Sequence, residues 1–222
     1  MTSNGATFSS NTASTSGGVL YLSATGTTSS ITITGSTFTG NSATTSNGGV
    51  IYSGAVNSNT VTFSNSVTAT TISSSTAGTY GGVIYLSGVA NSVTTDALTS
   101  ISSSTAGNSG GVIYLTGTGS QTISMTGGSM TTSTATSGTG GVATVVGSSS
   151  TITLQTSATI TTAIAGTHGG AFYFGTSADS FLYIYTGSSI SSLYANGQGG
   201  LAYFGGTSNT AVISGSSTIS NV

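Results

Sequence analysis

Glycine pairs punctuate this chain at a nearly constant interval. They fall at 17/18, 48/49, 81/82, 110/111, 140/141, 169/170 and 199/200, so successive pairs lie 31, 33, 29, 30, 29 and 30 residues apart. Short apolar runs follow them, as in GGVLYL at 17–22, GGVIYLSG at 81–88 and GGVIYLTG at 110–117. Nine or ten residues ahead of each pair stands one large apolar residue: Phe8, Phe38, Ile72, Ile101, Met130, Ile160 or Ile190. Ile219 continues that series. Five residues after each of the first seven comes an alanine: Ala13, Ala43, Ala77, Ala106, Ala135, Ala165 or Ala195. Such a period marks a repeat architecture, in which each unit buries its apolar face only against its neighbours. A catalytic site needs building once, whereas seven near-copies of one unit specify a scaffold.

A third segment in each period alternates apolar with hydroxylated residues: ITIT at 31–34, VTFS at 61–64, TISM at 122–125 and TITL at 151–154. Strict period-two alternation with β-branched residues is a half-buried strand. Each period therefore holds three short strands separated by Gly/Ser/Asn-rich turns, which is one coil of a β-solenoid. The expected fold is an all-β parallel β-helix, one domain over residues 1–222, with about seven coils of ~30 residues. Its hand is expected to be right, the rule for parallel crossovers. At about 4.8 Å per coil the rod is some 34 Å tall, with alanines where the interior narrows and Phe, Ile and Met in a wider corner.

Composition narrows the function. Serine and threonine dominate, with 35 Gly and neither Pro nor Cys, which alone reads as low complexity. Yet 35% of residues are hydrophobic and the net charge is only −2, too little for charge-driven disorder. With no Lys or Arg, the chain has nothing to neutralise phosphates, so nucleic acid is excluded as a partner. The longest apolar runs, such as residues 181–185, fall far short of the roughly 20 residues of a membrane helix. The opening MTSNGATF lacks a basic and an apolar signal region, so an export signal has been removed or the chain is a segment of a longer exported protein. No Asn-x-Ser/Thr sequon and no trypsin site occur, the latter in keeping with a durable external material.

The combination of a glycine pair and apolar dipeptide with an FxxN element resembles the repeat of the chlamydial polymorphic outer-membrane proteins. The residues FSSN at 8–11 and FTGN at 38–41 match FxxN, and GGVI at 48–51 resembles the GGAI element. From Ile72 onward Ile or Met replaces the Phe, and Ser, Ala or Leu replaces the Asn. The resemblance implies a β-helical, surface-exposed passenger and, by analogy, adhesion.

Three surfaces invite attention. The third residue after each glycine pair is Tyr21, Tyr52, Tyr85, Tyr114, Tyr173 or Tyr203, with Thr144 the exception. If Leu20, Ile51, Ile84, Ile113, Ala143, Phe172 and Ala202 point inward, these tyrosines point outward. Val19, Val50, Val83, Val112 and Val142 would then flank them, making a stripe suited to packing between rods or stacking on sugars. The alternative places the tyrosines inside, with hydroxyls bonded in a turn; replacement by Thr144 favours the outward arrangement. The second surface is the outward row of the alternating strand, including Thr32, Thr34, Thr62, Ser64, Thr122, Ser124, Thr151 and Thr153. It has the look of an ice-binding array, or of ordinary solvent-facing strand residues, and it breaks at Tyr183 and Tyr185. The third is the pair of ends, where residues 5–11 and 216–222 share one phase and no polar cap is recognisable.

An enzyme finds little support. Asp96 and Asp179, the only carboxylate side chains, fall three coils or about 14 Å apart, too far for paired carboxylate chemistry. His168 precedes a glycine pair in a variable turn and is expected to be exposed and idle. One His and two scattered Asp make no metal set, and no cofactor is expected. The leading expectation is therefore a non-enzymatic structural protein, extracellular or at the cell surface. It would associate with itself end to end or laterally, in a filament or as part of a longer rod. A glycan- or receptor-binding adhesin and an ice-binding protein are the alternatives.

Overall fold

The computed structural model describes residues 1–222 other than 24–27, 55–56, 65–66 and 176–178. Among the described residues there is no helix, and every strand pairing is parallel with the equivalent strand one coil away. Three sheets result. The first has eight strands, from Thr2–Asn4 to Thr210–Ile213; the third has seven, from Leu20–Leu22 to Ala202–Phe204. The second runs from Thr7–Ser9 to Thr218–Ser220 and also takes in the short strands Thr12–Ala13, Ser42–Ala43 and Thr76–Ala77. One middle coil consists of Ala90–Thr95, Thr99–Ala106 and Ile113–Thr116, one strand per sheet. Parallel neighbours need a crossover, and here the rest of the coil supplies it. The chain is a parallel β-solenoid of about seven turns.

Register follows the sequence period. Ala77 pairs with Ala43 on one side and Ala106 on the other, and Ile72 lies between Phe38 and Ile101. Inside, the rows of Ile31, Val61, Val93, Ile123, Ile152 and Leu182 from the first sheet meet Ile51, Ile84, Ile113 and Phe172 from the third; all are buried. The apolar half of each alternation makes the core, and the hydroxyl half covers it.

The corners depend on backbone conformation. The first glycine of each pair has positive φ, between 64° and 72°, and a Cβ there would overlap a carbonyl three residues on. The second glycine has a different constraint. A Cβ on Gly82 would overlap the carbonyl oxygen of Gly111 in the next coil, and the same holds for Gly49 against Gly82 and Gly111 against Gly141. Coils touch backbone to backbone at this corner, so only hydrogen fits. A second bend comes two residues after the large apolar position. Ser10, Gly40, Ser74, Ser103, Thr132, Thr162, Ser192 and Asn221 are all left-handed there, a conformation that side chains other than Gly, Asn and Asp adopt at a cost.

Two interior rows are polar. Asn41, fully buried, donates from Nδ2 to the Phe8 carbonyl (3.0 Å), while its Oδ1 accepts from the Asn11 amide N–H (3.1 Å) and from Asn11 Nδ2 (2.9 Å). That is the physical content of FxxN: the side chain bonds the backbone of the neighbouring coil at the bend. Later coils place Ser75, Ser104, Ser133, Ala163 and Leu193 in this row, all buried, and the three serine hydroxyls have no hydrogen-bond partner. The other row was not anticipated. Asn59 Nδ2 donates to Asn91 Oδ1 and Asn91 Nδ2 to Gln121 Oε1, each at 2.6 Å, forming an amide ladder inside the third-to-first corner. Backbone carbonyls of Ser87, Thr116 and Val89 accept the remaining protons.

Gly82→Ala is expected to lower stability by about 3 kcal/mol, because the methyl group must displace backbone in the next coil. Ser104→Ala is expected to raise it by about 1 kcal/mol, since it removes a buried hydroxyl without a partner. Urea titrations of the two variants against the parent check both signs.

Candidate interaction surface

The tyrosines lie outside, as the outward arrangement requires. Each occupies the middle of a third-sheet strand whose two flanking residues are inward: Ile84 and Leu86 around Tyr85, Ile113 and Leu115 around Tyr114. Because strands pair in register, the rings stack along the rod. Centroids are 4.8 Å apart for Tyr21 and Tyr52, 5.2 Å for Tyr52 and Tyr85, 5.5 Å for Tyr85 and Tyr114, and 5.4 Å for Tyr173 and Tyr203, with planes within 6° of parallel. Stacking covers much of each ring. Tyr21, in the first coil, is 56% exposed, whereas Tyr52, Tyr85, Tyr114, Tyr173 and Tyr203 are half-buried.

Three expectations need correction. The valines do not flank the tyrosines outside: Val50, Val83 and Val112 are wholly buried and Val142 nearly so. The amides of Val50 and Ile51 both donate to the Val83 carbonyl, and those of Val83 and Ile84 both donate to Val112. Two successive N–H groups aim the same way because the chain is turning, so alternation fails and both side chains face inward. Thr144 is not a surface replacement for tyrosine. It is buried, with its hydroxyl donating to the Thr139 carbonyl (2.7 Å), and it divides the ladder into a stretch of four tyrosines and a stretch of two. His168 is not idle either. Its ring stacks on Tyr203 at 4.8 Å, and Nδ1 accepts the Gln198 N–H at 3.0 Å.

Sequence reasoning also missed Tyr80, which stands just before a glycine pair, as His168 does. Its ring lies 4.6 Å from Tyr114 and 6.4 Å from Tyr85. The position before the glycines leans over the ladder, and an aromatic residue there was the available signal.

Burial raises the phenol pKa of Tyr52, Tyr85 and Tyr173, and the neighbouring ladder tyrosines add to it. Tyr114 is pushed up to about 12, first by burial and then by Tyr80, Tyr85 and Tyr173. A like charge on a stacked neighbour disfavours ionisation, so these phenols stay neutral hydrogen-bonding groups well into the alkaline range.

The first sheet carries the hydroxyl array. Thr2, Thr32, Thr62, Thr94, Ser124 and Thr153 form one column in register, and Ser30, Thr60, Ser92, Thr122 and Thr151 a second. Tyr183 continues the first column and Phe181 the second. The two carboxylates occupy different corners. Asp96 follows the first-sheet strand Ala90–Thr95 and is buried, its Oδ1 accepting from Leu98 N–H (3.1 Å) and Thr99 Oγ1 (2.9 Å). Asp179 is exposed, ahead of the strand Phe181–Ile184.

Raised phenol pKa values give stability that is full below pH 10, the ordinary tyrosine value, and is lost as pH climbs through the folded values toward about 12. An alkaline titration followed by phenolate absorbance is expected to show Tyr52, Tyr85, Tyr114 and Tyr173 ionising late, with Tyr114→Phe deleting the last phase. One uniform transition at the ordinary value would mean the rings are neither stacked nor covered.

No family model, no curated protein and no solved structure matches the chain.

Proposed function

We propose that the chain is a non-enzymatic structural rod of an extracellular or cell-surface assembly, lengthened by coil-on-coil pairing and braced by lateral contacts through the tyrosine ladder. One observation carries this reading: core rows run off both terminal coils with their backbone edges in matching phase. Thr2 lies in the column that ends at Val212, and Phe8 in the row that ends at Ile219. Phe8, Leu20, Leu22, Leu201, Phe204 and Ile219 are only half-buried, and Ile213 is 51% exposed, although their rows are buried in the middle coils. Further coils, whether from a second copy or from a longer chain, extend those rows and cover those side chains. Unpaired strand edges without lysine or proline attract just such pairing. A net charge of −2 does little to hold copies apart. Asp96 and Asp179, standing at separate corners, fit a scaffold better than a hydrolase.

Stacked copies with the Thr2 column set on Val212 advance by the eight first-sheet levels of one chain, an axial repeat of about 38 Å. Electron microscopy and fibre diffraction of concentrated protein are expected to show rods with that repeat. Ile213→Lys, which puts a charge on the edge strand, should leave circular dichroism unchanged and abolish the rods. Dispersed monomers of the parent at every concentration would refute end-to-end assembly.

A further inference from the structure

The hydroxyl face is interrupted in one coil by aromatic side chains that the fold does not need. In the strand Phe181–Ile184 the inward residues Leu182 and Ile184 are wholly buried and supply the core. Phe181 and Tyr183 point outward, and Tyr185 follows on the same side by alternation. Their neighbours in the same columns are small: Thr151 and Thr210 beside Phe181, Thr153 and Val212 beside Tyr183. Because threonine serves these positions elsewhere, three half-buried aromatic residues here are an exposed apolar cost without a packing return.

Their arrangement is regular. Ring centroids are 6.0 Å apart for Phe181 and Tyr183 and 5.7 Å for Tyr183 and Tyr185, with planes 3° and 11° from parallel. The three rings make one ridge over residues 181–185, beside the smaller side chains of the adjoining coils. At its Tyr185 end the ridge meets a hollow of about 430 Å³ lined by Gln155, Thr156, Ser157, Tyr185, Thr186 and Gly187. The Gln155 amide there is steadied by a hydrogen bond from Nε2 to Thr126 Oγ1 (3.0 Å). The outer face of Tyr185 over the hollow, a row of ring rims, hydroxyls alongside and an amide at one end match a ligand with an apolar ring face and a periphery of hydroxyl groups. The chain has no Lys or Arg to hold an anion, and the exposed Asp179 two residues before Phe181 repels one.

We propose that the ridge of Phe181, Tyr183 and Tyr185, with the hollow beside it, binds an uncharged oligosaccharide along the strand. The free face of Tyr185 would stack on a sugar seated in the hollow, the rims of Phe181 and Tyr183 would line the sugars beyond it, and Thr151 and Thr153 would bond their hydroxyls. This site lies on the first sheet, away from the tyrosine ladder on the third, and does not depend on assembly of the rod.

Isothermal titration of the dispersed full chain with cellohexaose, xylohexaose, mannohexaose and chitohexaose tests it, with hexagalacturonate as the anionic control. Binding to at least one neutral hexamer and not to the control is expected. Tyr183→Ala and Tyr185→Ala should each weaken that binding by about tenfold or more with circular dichroism unchanged, while Tyr52→Ala, on the other face, leaves it intact. No binding to any neutral hexamer overturns the proposal, as does binding that survives both ridge variants. A ridge whose substitution changes only association between copies is a protein contact and overturns it too.

Discussion

Backbone pairing between coils about thirty residues apart is the interaction on which the rest of this molecule depends. Strand N–H and C=O groups in the interior have nowhere else to bond, and leaving them unpaired in an apolar setting costs more than the net gain of forming them. Pairing in register then forces equivalent side chains over one another. Each position becomes a row, and each row must be filled by residues tolerable at every level. Phe38, Ile72, Ile101 and Met130 succeed one another because their volumes are similar. On the third sheet Ile113, Ala143 and Phe172 succeed one another less evenly. The small apolar cavity bordered by these three and by Met125 and Met130 is where that unevenness is left.

The glycine pairs set how closely this pairing can bring two coils together. Along the strands side chains point into the core or outward, clear of the neighbouring coil, but at this corner the next coil's carbonyl oxygens occupy the space a Cβ would need. The constraint is mutual, because each second glycine makes room for the carbonyl of the next coil's second glycine. A larger residue at one level therefore disturbs the level above it. This explains why the pair does not vary along the repeat while the residue before it ranges over Ser, Asn, Tyr, Thr, His and Gln. At that preceding position Tyr80 and His168 lie against the tyrosine ladder, while the smaller Ser16 and Ser109 are buried.

Much of the fold was legible because the period and the rows are properties of sequence order alone. Ala77 over Ala106 and Tyr85 over Tyr114 followed from counting. What escaped was set by local backbone direction. Period-two alternation placed the valines outside, and the bend that turns two successive amides toward one carbonyl placed them inside. The left-handed bends at Ser74, Ser103, Thr132 and Thr162 carried no signal, since serine and threonine stand everywhere in this chain. The amide ladder was within reach. Asn59, Asn91 and Gln121 each precede an inward Val or Ile by two residues, so carrying the alternation two steps upstream puts them inside. Their polarity concealed a core position. The tyrosine row was legible as a surface, though Tyr80 and His168 join it only in three dimensions.

The interior amides bear on specificity as well as stability. Rows of hydroxyl and β-branched residues resemble one another closely, so a strand slipped by two residues would keep its inward and outward faces and lose little apolar contact. A slip of that size takes Asn91 away from Asn59 and Gln121 and leaves buried amide groups without partners, at about 1–3 kcal/mol for each. The Asn11 and Asn41 pair imposes the same penalty on the second sheet of the first two coils. Apolar rows make the stack favourable, and a few buried amides together with the close glycine contacts make one register better than its neighbours. Where Ala163 and Leu193 replace the amide of the second-sheet row, register there passes to shape, small over large in the interior and glycine over glycine at the corner, while Asn209 on the first-sheet side still accepts the Ser180 N–H of the neighbouring coil (3.1 Å).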